Sequence, residues 1–327
     1  MKQISFRLKT FGSEWRNLLI ITVLLALTGC RYTFDLDQKD VQPMAVIRSY
    51  ICADSLVRID IGKAVPLSHL ATVDSTLIHP HYSLKCNGVE VDCDESMKGE
   101  GRLSLHTDAF RSGDRIEIVF ESEDTETAVA STVIPGTFPE YEMELCNSSI
   151  AQRNLKIRYK DDPDREDWYA AVVKWNGYQE RNLGPTKPKV VKVTGQMIYP
   201  PSGYNDLQLE PEAYSPIVMS FKGDYLYMWK DSDEDDDEYD LCFNYRSQWD
   251  GSVSSVISAE VQCTLFKLSE EMYRYLFAEF DSWNNPFIGA GLSSPAFTYT
   301  NVRNGVGYLC GYSVVHSEWI KDNLFEE

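Results

Sequence analysis

No linear signature of catalysis appears in this chain. It lacks a Gly-x-Ser-x-Gly elbow for a serine nucleophile, a glycine-rich phosphate loop, a dinucleotide fingerprint and a His-Glu-x-x-His pair. Paired glycosidase carboxylates leave no linear trace, so a glycan-active enzyme stays open as an alternative. Basic residues are scarce, with 31 Lys and Arg against 50 Asp and Glu, for a net charge of −19. Nucleic-acid binding rests on clustered Lys and Arg, so that class is disfavoured. The same scarcity argues against docking on an anionic membrane through a basic patch. Histidine numbers five, and His79-Pro80-His81 reads as a turn between strands before it reads as a metal clip. The eight cysteines match no zinc spacing.

Long apolar runs are also missing, with one short exception. Leu18 to Leu27 is apolar apart from Thr22 and follows Lys2, Arg7, Lys9 and Arg16. A bilayer core needs about 20 apolar residues, so this run is too short to span one and reads as the core of a secretory signal. It ends Leu27-Thr28-Gly29-Cys30, which resembles the lipobox of bacterial lipoproteins. Cleavage before Cys30 and acylation of its sulfur are the expectation; an ordinary signal peptide with a chance cysteine is the alternative. Removing residues 1–29 takes away four basic side chains and one acidic, leaving the remainder at −22. Residues 30–42 are polar and read as a tether. Seven cysteines follow Cys30, an odd number, so at least one has no partner within the chain.

What the sequence has in plenty is strand pattern. Aromatic residues make up 12%, with 19 Tyr and 7 Trp, which suits β-structure and would also suit a binding surface. Val57, Ile59 and Ile61 alternate with polar residues, as do Ile116, Ile118 and Phe120. Tyr82 to Cys93 around Asn87-Gly88 is the clearest hairpin, since Asn-Gly accepts positive φ at both turn positions. In that register Cys86 faces Val89 and Cys93 faces Tyr82, too far apart for a disulfide. About seven such strands over 43–138 predict an immunoglobulin-like β-sandwich, with another small sandwich or barrel as the alternative. Residues 139–327 predict a second β-rich domain, with strands over Leu155–Tyr159, Trp168–Trp175, Tyr239–Tyr245 and Ala259–Leu265. Six prolines over 180–216 predict a long irregular excursion. One helix is expected near 269–283, capped by Ser269, with Met272, Leu276, Phe280 and Trp283 on one face. Glycines over Thr300–Tyr312 suggest close backbone approach.

One segment invites a metal. Asp231 to Asp240 carries eight carboxylates in ten residues. Calcium takes six to eight oxygens, and Asp231, Asp233, Asp235 and Asp237 are the candidate ligands for weak binding. Against an EF-hand loop, position six is Asp236 where glycine belongs and position twelve is Cys242 where glutamate belongs. A solvated loop of mutually repelling charges is the simpler reading, and no cofactor is expected.

Several of these features together resemble a lipoprotein family of the Bacteroidota known as domain of unknown function 4249. They are the lipobox, Thr132-Val133-Ile134-Pro135, Asp162-Pro163 with Trp168-Tyr169, the Leu268-Ser269-Glu270 helix start with Tyr273 and Tyr275, and Asn285-Pro286-Phe287. Asn301, Asn304, Gly305 and Gly307 complete the set. The likeness spans most of 30–319. It implies an outer-membrane or surface lipoprotein that accompanies a TonB-dependent transporter, with no established activity. The expected function is therefore a non-enzymatic, lipid-anchored envelope protein that binds a ligand or a transporter. A structural or adhesive surface protein is the alternative.

Overall fold

The computed structural model describes residues 42–65, 75–98, 101–149, 152–162, 165–181, 189–196, 217–222, 224–230, 238–244, 255–284 and 299–322. The signal peptide read at 1–29 and all of the tether but Gln42 lie outside them. The strands are β1 (Met44–Cys52), β2 (Val57–Ala64), β3 (His81–Cys86), β4 (Val89–Glu90), β5 (Asp94–Lys98), β6 (Arg102–Thr107), β7 (Arg115–Ser122), β8 (Thr125–Val133), β9 (Tyr141–Ser149) and β10 (Gln152–Lys160). They continue as β11 (Trp168–Arg181), β12 (Lys189–Gln196), β13 (Ile217–Phe221), β14 (Asp224–Lys230), β15 (Glu238–Asn244), β16 (Ser255–Leu268), β17 (Val302–Arg303), β18 (Gly305–His316) and β19 (Ile320–Asp322). The helix among the described residues, α1, is Glu270–Asn284. The protein is mainly β, as the alternation predicts.

One large sheet runs β13-β14-β11-β16-β18-β1-β2-β6-β5, with β12 on β11 and β19 on β16. On one of its faces lie two smaller sheets. The order β17-β8-β7-β3-β4 covers the half built from β1, β2 and β6. Ile47, Ile51, Ile59, Ile61, Leu103 and Leu105 meet Leu84, Ile116, Ile118 and Phe120 there in one buried cluster. The order β15-β10-β9 covers the half built from β11 and β16, over a core rich in Tyr, Trp and Phe. Helix α1 lies on the opposite face, over Ala170, Val172, Phe266, Cys310 and Tyr312.

This topology is not readable as two successive segments. A boundary near Thr137–Pro139 marks where the chain leaves β8, yet the first sandwich takes its last strands from the other end of the chain. β18 pairs with β1 in parallel, Ala45 opposite Gly305 through Cys52 opposite Tyr312. β17 pairs with β8, and Val302 and Leu309 sit in the first core. A parallel pairing of this sequence separation has no local signature, because alternation marks a strand without naming its neighbour.

Local predictions fare well. The Asn87-Gly88 turn has positive φ at both residues, 54° and 82°, and pairs Cys86 with Val89. Asn87 is tied further: its amide nitrogen Nδ2 donates to Asp114 Oδ1 (2.8 Å) and its Oδ1 accepts from the Arg115 amide (2.9 Å). The seven cysteines after Cys30 form no disulfide with one another; Cys263 and Cys310 are buried and the other five half-buried. Two expectations need correction. Residues 189–196 are a strand on β11, so the irregular excursion expected over 180–216 contains a regularly paired segment. β9 precedes the expected start at Leu155, with Tyr141, Met143 and Leu145 alternating against glutamates.

α1 forms where Ser269 ends β16. Ser269 Oγ accepts from the Met272 amide at 3.2 Å, the geometry of an N-cap, and Glu270 and Glu271 follow in the first turn. Met272 and Leu276 are buried and Phe280 is half-buried, as the periodicity predicts, while the Trp283 side chain lies outside what is described. The cap has a second task, because Ser269 Oγ also accepts from the Gly311 amide at 3.2 Å, and the Ser269 amide donates to Gly311 O at 2.9 Å. Ser269→Ala thus removes the acceptor from two buried donors. The expected loss is about 1–2 kcal/mol, read as a lower urea midpoint at unchanged slope.

Candidate functional site

The described residues offer three places where side chains are arranged for more than packing. The first is the segment Asn301 to Gly307, where the chain crosses from one sheet of the first sandwich to the other. Asn301 Oδ1 accepts from the Leu309 amide (3.0 Å), and its Nδ2 donates to Leu309 O (2.8 Å) and Ser131 O (3.1 Å). Asn304 takes φ 55° at the corner and its Nδ2 donates to Thr127 O at 3.2 Å. Gly305 and Gly307 then let β18 close on β1: a Cβ would stand 2.8 Å from Ala45 O at the first and 2.0 Å from Ile47 O at the second. These residues have a structural task, joining the two ends of the chain.

The second place is a buried ion network around Asp161 and Asp167. Lys267 Nζ donates to Asp167 Oδ2 at 2.5 Å, and both side chains are nearly inaccessible. Arg165 binds the same oxygen through Nε (3.1 Å) and Nη2 (2.8 Å). Tyr169 donates its hydroxyl to Asp161 Oδ1 at 2.5 Å, and Lys267 Nζ stands 5.4 Å from the centre of its ring. Asp161 Oδ2 is buried without a hydrogen-bond partner among the described residues. Burial pushes the Asp161 carboxyl above the usual carboxylate range, opposed by the Tyr169 hydroxyl and the Asp162 amide. A raised folded-state value means the native state holds this proton more tightly than the unfolded chain does. Its contribution to stability therefore declines as pH rises from the unfolded carboxylate value, about 3.9, through the raised one, and the penalty persists at neutral pH. Asp161→Asn, which cannot ionise, is expected to flatten the stability profile across that window. Urea midpoints of both proteins from pH 4 to 7 check this, and parallel profiles would refute it.

The third place is an open groove on the α1 face of the large sheet, and it is the candidate binding site. Along β1 the side chains alternate, so Ile47, Ser49 and Ile51 enter the sandwich while Val46, Arg48 and Tyr50 face outward. Arg48 pairs with Asp60 on β2, Asp60 with Ser104 on β6, and Arg48 with Tyr308 on β18, forming one row across four strands. α1 covers the aromatic end of this face. Tyr275, Tyr308 and Tyr50 form a cluster of tilted rings, with Tyr308 4.2 Å from Tyr275 and 4.5 Å from Tyr50 between ring centres, and Tyr275 donates to Glu279. Burial pushes the Tyr308 hydroxyl up, against the lowering influences of Tyr50 and Arg48. Beyond Tyr308 no helix covers the sheet among the described residues, and a cavity of about 560 Å³ opens, lined by Arg48, Arg58, Asp60, Gly62 and Arg102. Asp60 Oδ1 accepts from Arg58 Nε (2.9 Å) and Nη2 (2.7 Å) and from Ser104 Oγ (2.5 Å). Arg48, Arg58 and Arg102 line the groove together with Asp60, whose carboxylate is already engaged by Arg58 and Ser104. Gly62 is the floor, and a Cβ there would meet only Arg102 Cγ at 3.8 Å. Nothing in the backbone demands glycine at this point; its effect is to keep the groove deep.

Of the residues singled out in the sequence, Cys30 and the aspartates Asp231, Asp233, Asp235 and Asp237 lie outside the described residues. His79 takes φ 45° at an exposed turn, with Nδ1 2.8 Å from Glu123 Oε1. The arginine groove is invisible in the sequence, since its three cations come from three strands that only pairing brings together. No helix among the described residues is long and apolar enough to cross a membrane.

A family model described as Domain of unknown function (DUF4249) matches residues 31–318. No curated protein matches the chain. Among solved structures, the chain is similar to the Yersinia pseudotuberculosis adhesin InvE at 10% identity and TM-score 0.20, covering 69% of this chain and 55% of that one. It is also similar to a putative membrane anchored protein from Corynebacterium diphtheriae at 11% identity and TM-score 0.21, again covering 69% and 55%. The chain thus spans about half the length of the solved chains it matches.

Proposed function

This chain belongs to the DUF4249 family, and from that premise we propose that it is a non-enzymatic, lipid-anchored protein of the outer membrane that binds a ligand or a transporter, as an accessory of TonB-dependent uptake. One observation carries this reading. Leu27-Thr28-Gly29-Cys30 closes a basic-then-apolar leader, and only thirteen residues lie between Cys30 and the start of β1 at Met44. Two or three acyl chains on Cys30 give durable attachment where one would anchor only marginally. The groove supports binding over turnover, because its carboxylate among the described lining residues, Asp60, is already engaged by Arg58 and Ser104.

Mass spectrometry of the purified protein should find a diacylglyceryl-modified Cys30 as the first residue, and Cys30→Ala should leave the leader uncut. A mature chain starting elsewhere refutes the anchor. Pull-down of the tagged protein in mild detergent should recover an outer-membrane barrel, and recovery of the protein alone counts against the transporter.

A structural or adhesive role is the second reading, favoured by one feature. Among the described residues, β5 ends the large sheet and β4 ends the sandwich's second sheet, and Met97 and Val89 on them are exposed by 58% and 70%. An open, apolar-decorated edge is where a donated strand pairs. Multimers in light scattering would favour this role, and a monomer the first.

A further inference from the structure

We propose that the parallel pairing of β1 with β18 is a mechanical clamp, which lets the β-body carry tension between the segment that enters β1 and the segment that leaves β19. The inference goes beyond both readings above and makes no use of the lipid anchor. It rests on strand order and register between Gln42 and Asp322.

Direction is the first argument. β1 and β18 run parallel over eight register pairs, from Ala45 opposite Gly305 to Cys52 opposite Tyr312. The chain therefore enters this pair at one end and leaves it at the other. β19 prolongs the line of β18 along β16, since His316 stands opposite Thr264 and Ile320 opposite Val261. Pulling Gln42 away from Lys321 draws β1 toward its start and β18 toward its finish. Such a load runs along the strands and across the bonds between them, so all the pairs bear it together. A load at right angles to the strands would open the pairs one at a time.

Place is the second. β1 lies between β18 and β2, and β18 lies between β1 and β16. On its far side β1 pairs Met44 with Ala64 through Arg48 with Asp60. On its far side β18 pairs Tyr312 with Leu268 through His316 with Thr264. Neither strand can be stripped from the rim of the sheet. Ile47, Ile51 and Leu309 are also buried in the first core, so sliding either strand exposes apolar surface.

Register is the third. A slip of one residue turns every side chain to the wrong face of the sheet. A slip of two residues in the direction of the pull sets Arg303 opposite Ala45, in the place of Gly305. A Cβ in that place stands 2.8 Å from Ala45 O. The pairing thus has no small step by which to creep under load, and it must give way as a unit.

The test stretches the full chain in optical tweezers, between DNA handles joined to azide-bearing residues at exposed positions. Handles at Gln42 and Lys321 load β1 against β18 in shear, and both positions are exposed. Handles at Gln42 and Arg303 load the same two strands from one end, because Arg303 is exposed and lies two residues before Gly305. At one loading rate, rupture between Gln42 and Lys321 should need at least about twice the force of rupture between Gln42 and Arg303. Asn87→Ala removes the bonds to Asp114 and Arg115 in a turn on another sheet. It should lower the urea midpoint and leave the shear force unchanged, since that turn is still intact when the clamp breaks. Equal forces in the two geometries would overturn the clamp. A shear force that falls along with the urea midpoint in Asn87→Ala would overturn it as well, because rupture would then report overall stability.

Discussion

Gly307→Ala is expected to cost the native state about 4 kcal/mol or more, enough to leave much of the protein unfolded at 37 °C. Two effects act at one atom. Gly307 has φ +115°, which L side chains rarely adopt, and an added Cβ would lie 2.0 Å from Ile47 O and 3.0 Å from Ile47 C. Neither of those atoms can move without opening the parallel pairing of β18 with β1, which joins the two ends of the chain. Gly113→Ala is the matched control, because Gly113 has φ +88° with nothing within 4 Å of the new Cβ. It should cost about 1–2 kcal/mol, the conformational penalty alone. Equal urea midpoints for the two variants would mean that contact at Ile47 contributes nothing.

Lys267→Met should be the next most damaging, at about 3–5 kcal/mol. Lys267 and Asp167 are both buried, and their side chains meet at 2.5 Å. Removing the ammonium leaves Asp167 in the interior with Arg165, more than half exposed, as its charged partner. Truncating one member of a buried pair is costly because the other charge stays desolvated. Removing both charges is cheap, so the double variant Lys267→Met, Asp167→Leu should recover to within about 1 kcal/mol of the parent. A double variant as unstable as the single one would show that Asp167 is needed in its own right by Arg165 and by the Tyr169 hydroxyl, which lies 3.4 Å from its Oδ2.

The Asn87-Gly88 hairpin, the Ser269 cap and the Met272–Leu276 stripe were all legible, because each is decided by neighbours within about four residues. β9 was legible in principle, as Tyr141, Met143 and Leu145 alternate with glutamate, and the boundary placed just before it obscured the pattern. The glycines after Asn304 announced close approach without saying to what. Lys267 and Asp167 gave no sign at all, since they stand a hundred residues apart and each alone reads as a surface charge.

The candidate site divides the same way. The reading of Cys30 as a lipidation site belongs wholly to linear sequence, because a lipobox is a motif of a few consecutive residues. The β class is linear too, since period-two alternation is a property of each strand alone. Arg48, Arg58 and Arg102 become a groove through pairing of β1, β2 and β6, and the parallel closure of β18 on β1 sets Tyr308 beside them. Hydrophobic alternation specifies which face of a strand is buried but carries no information about which strand lies next to it. That choice follows from burying all the faces at once, and it is what brings separated charges into one recess.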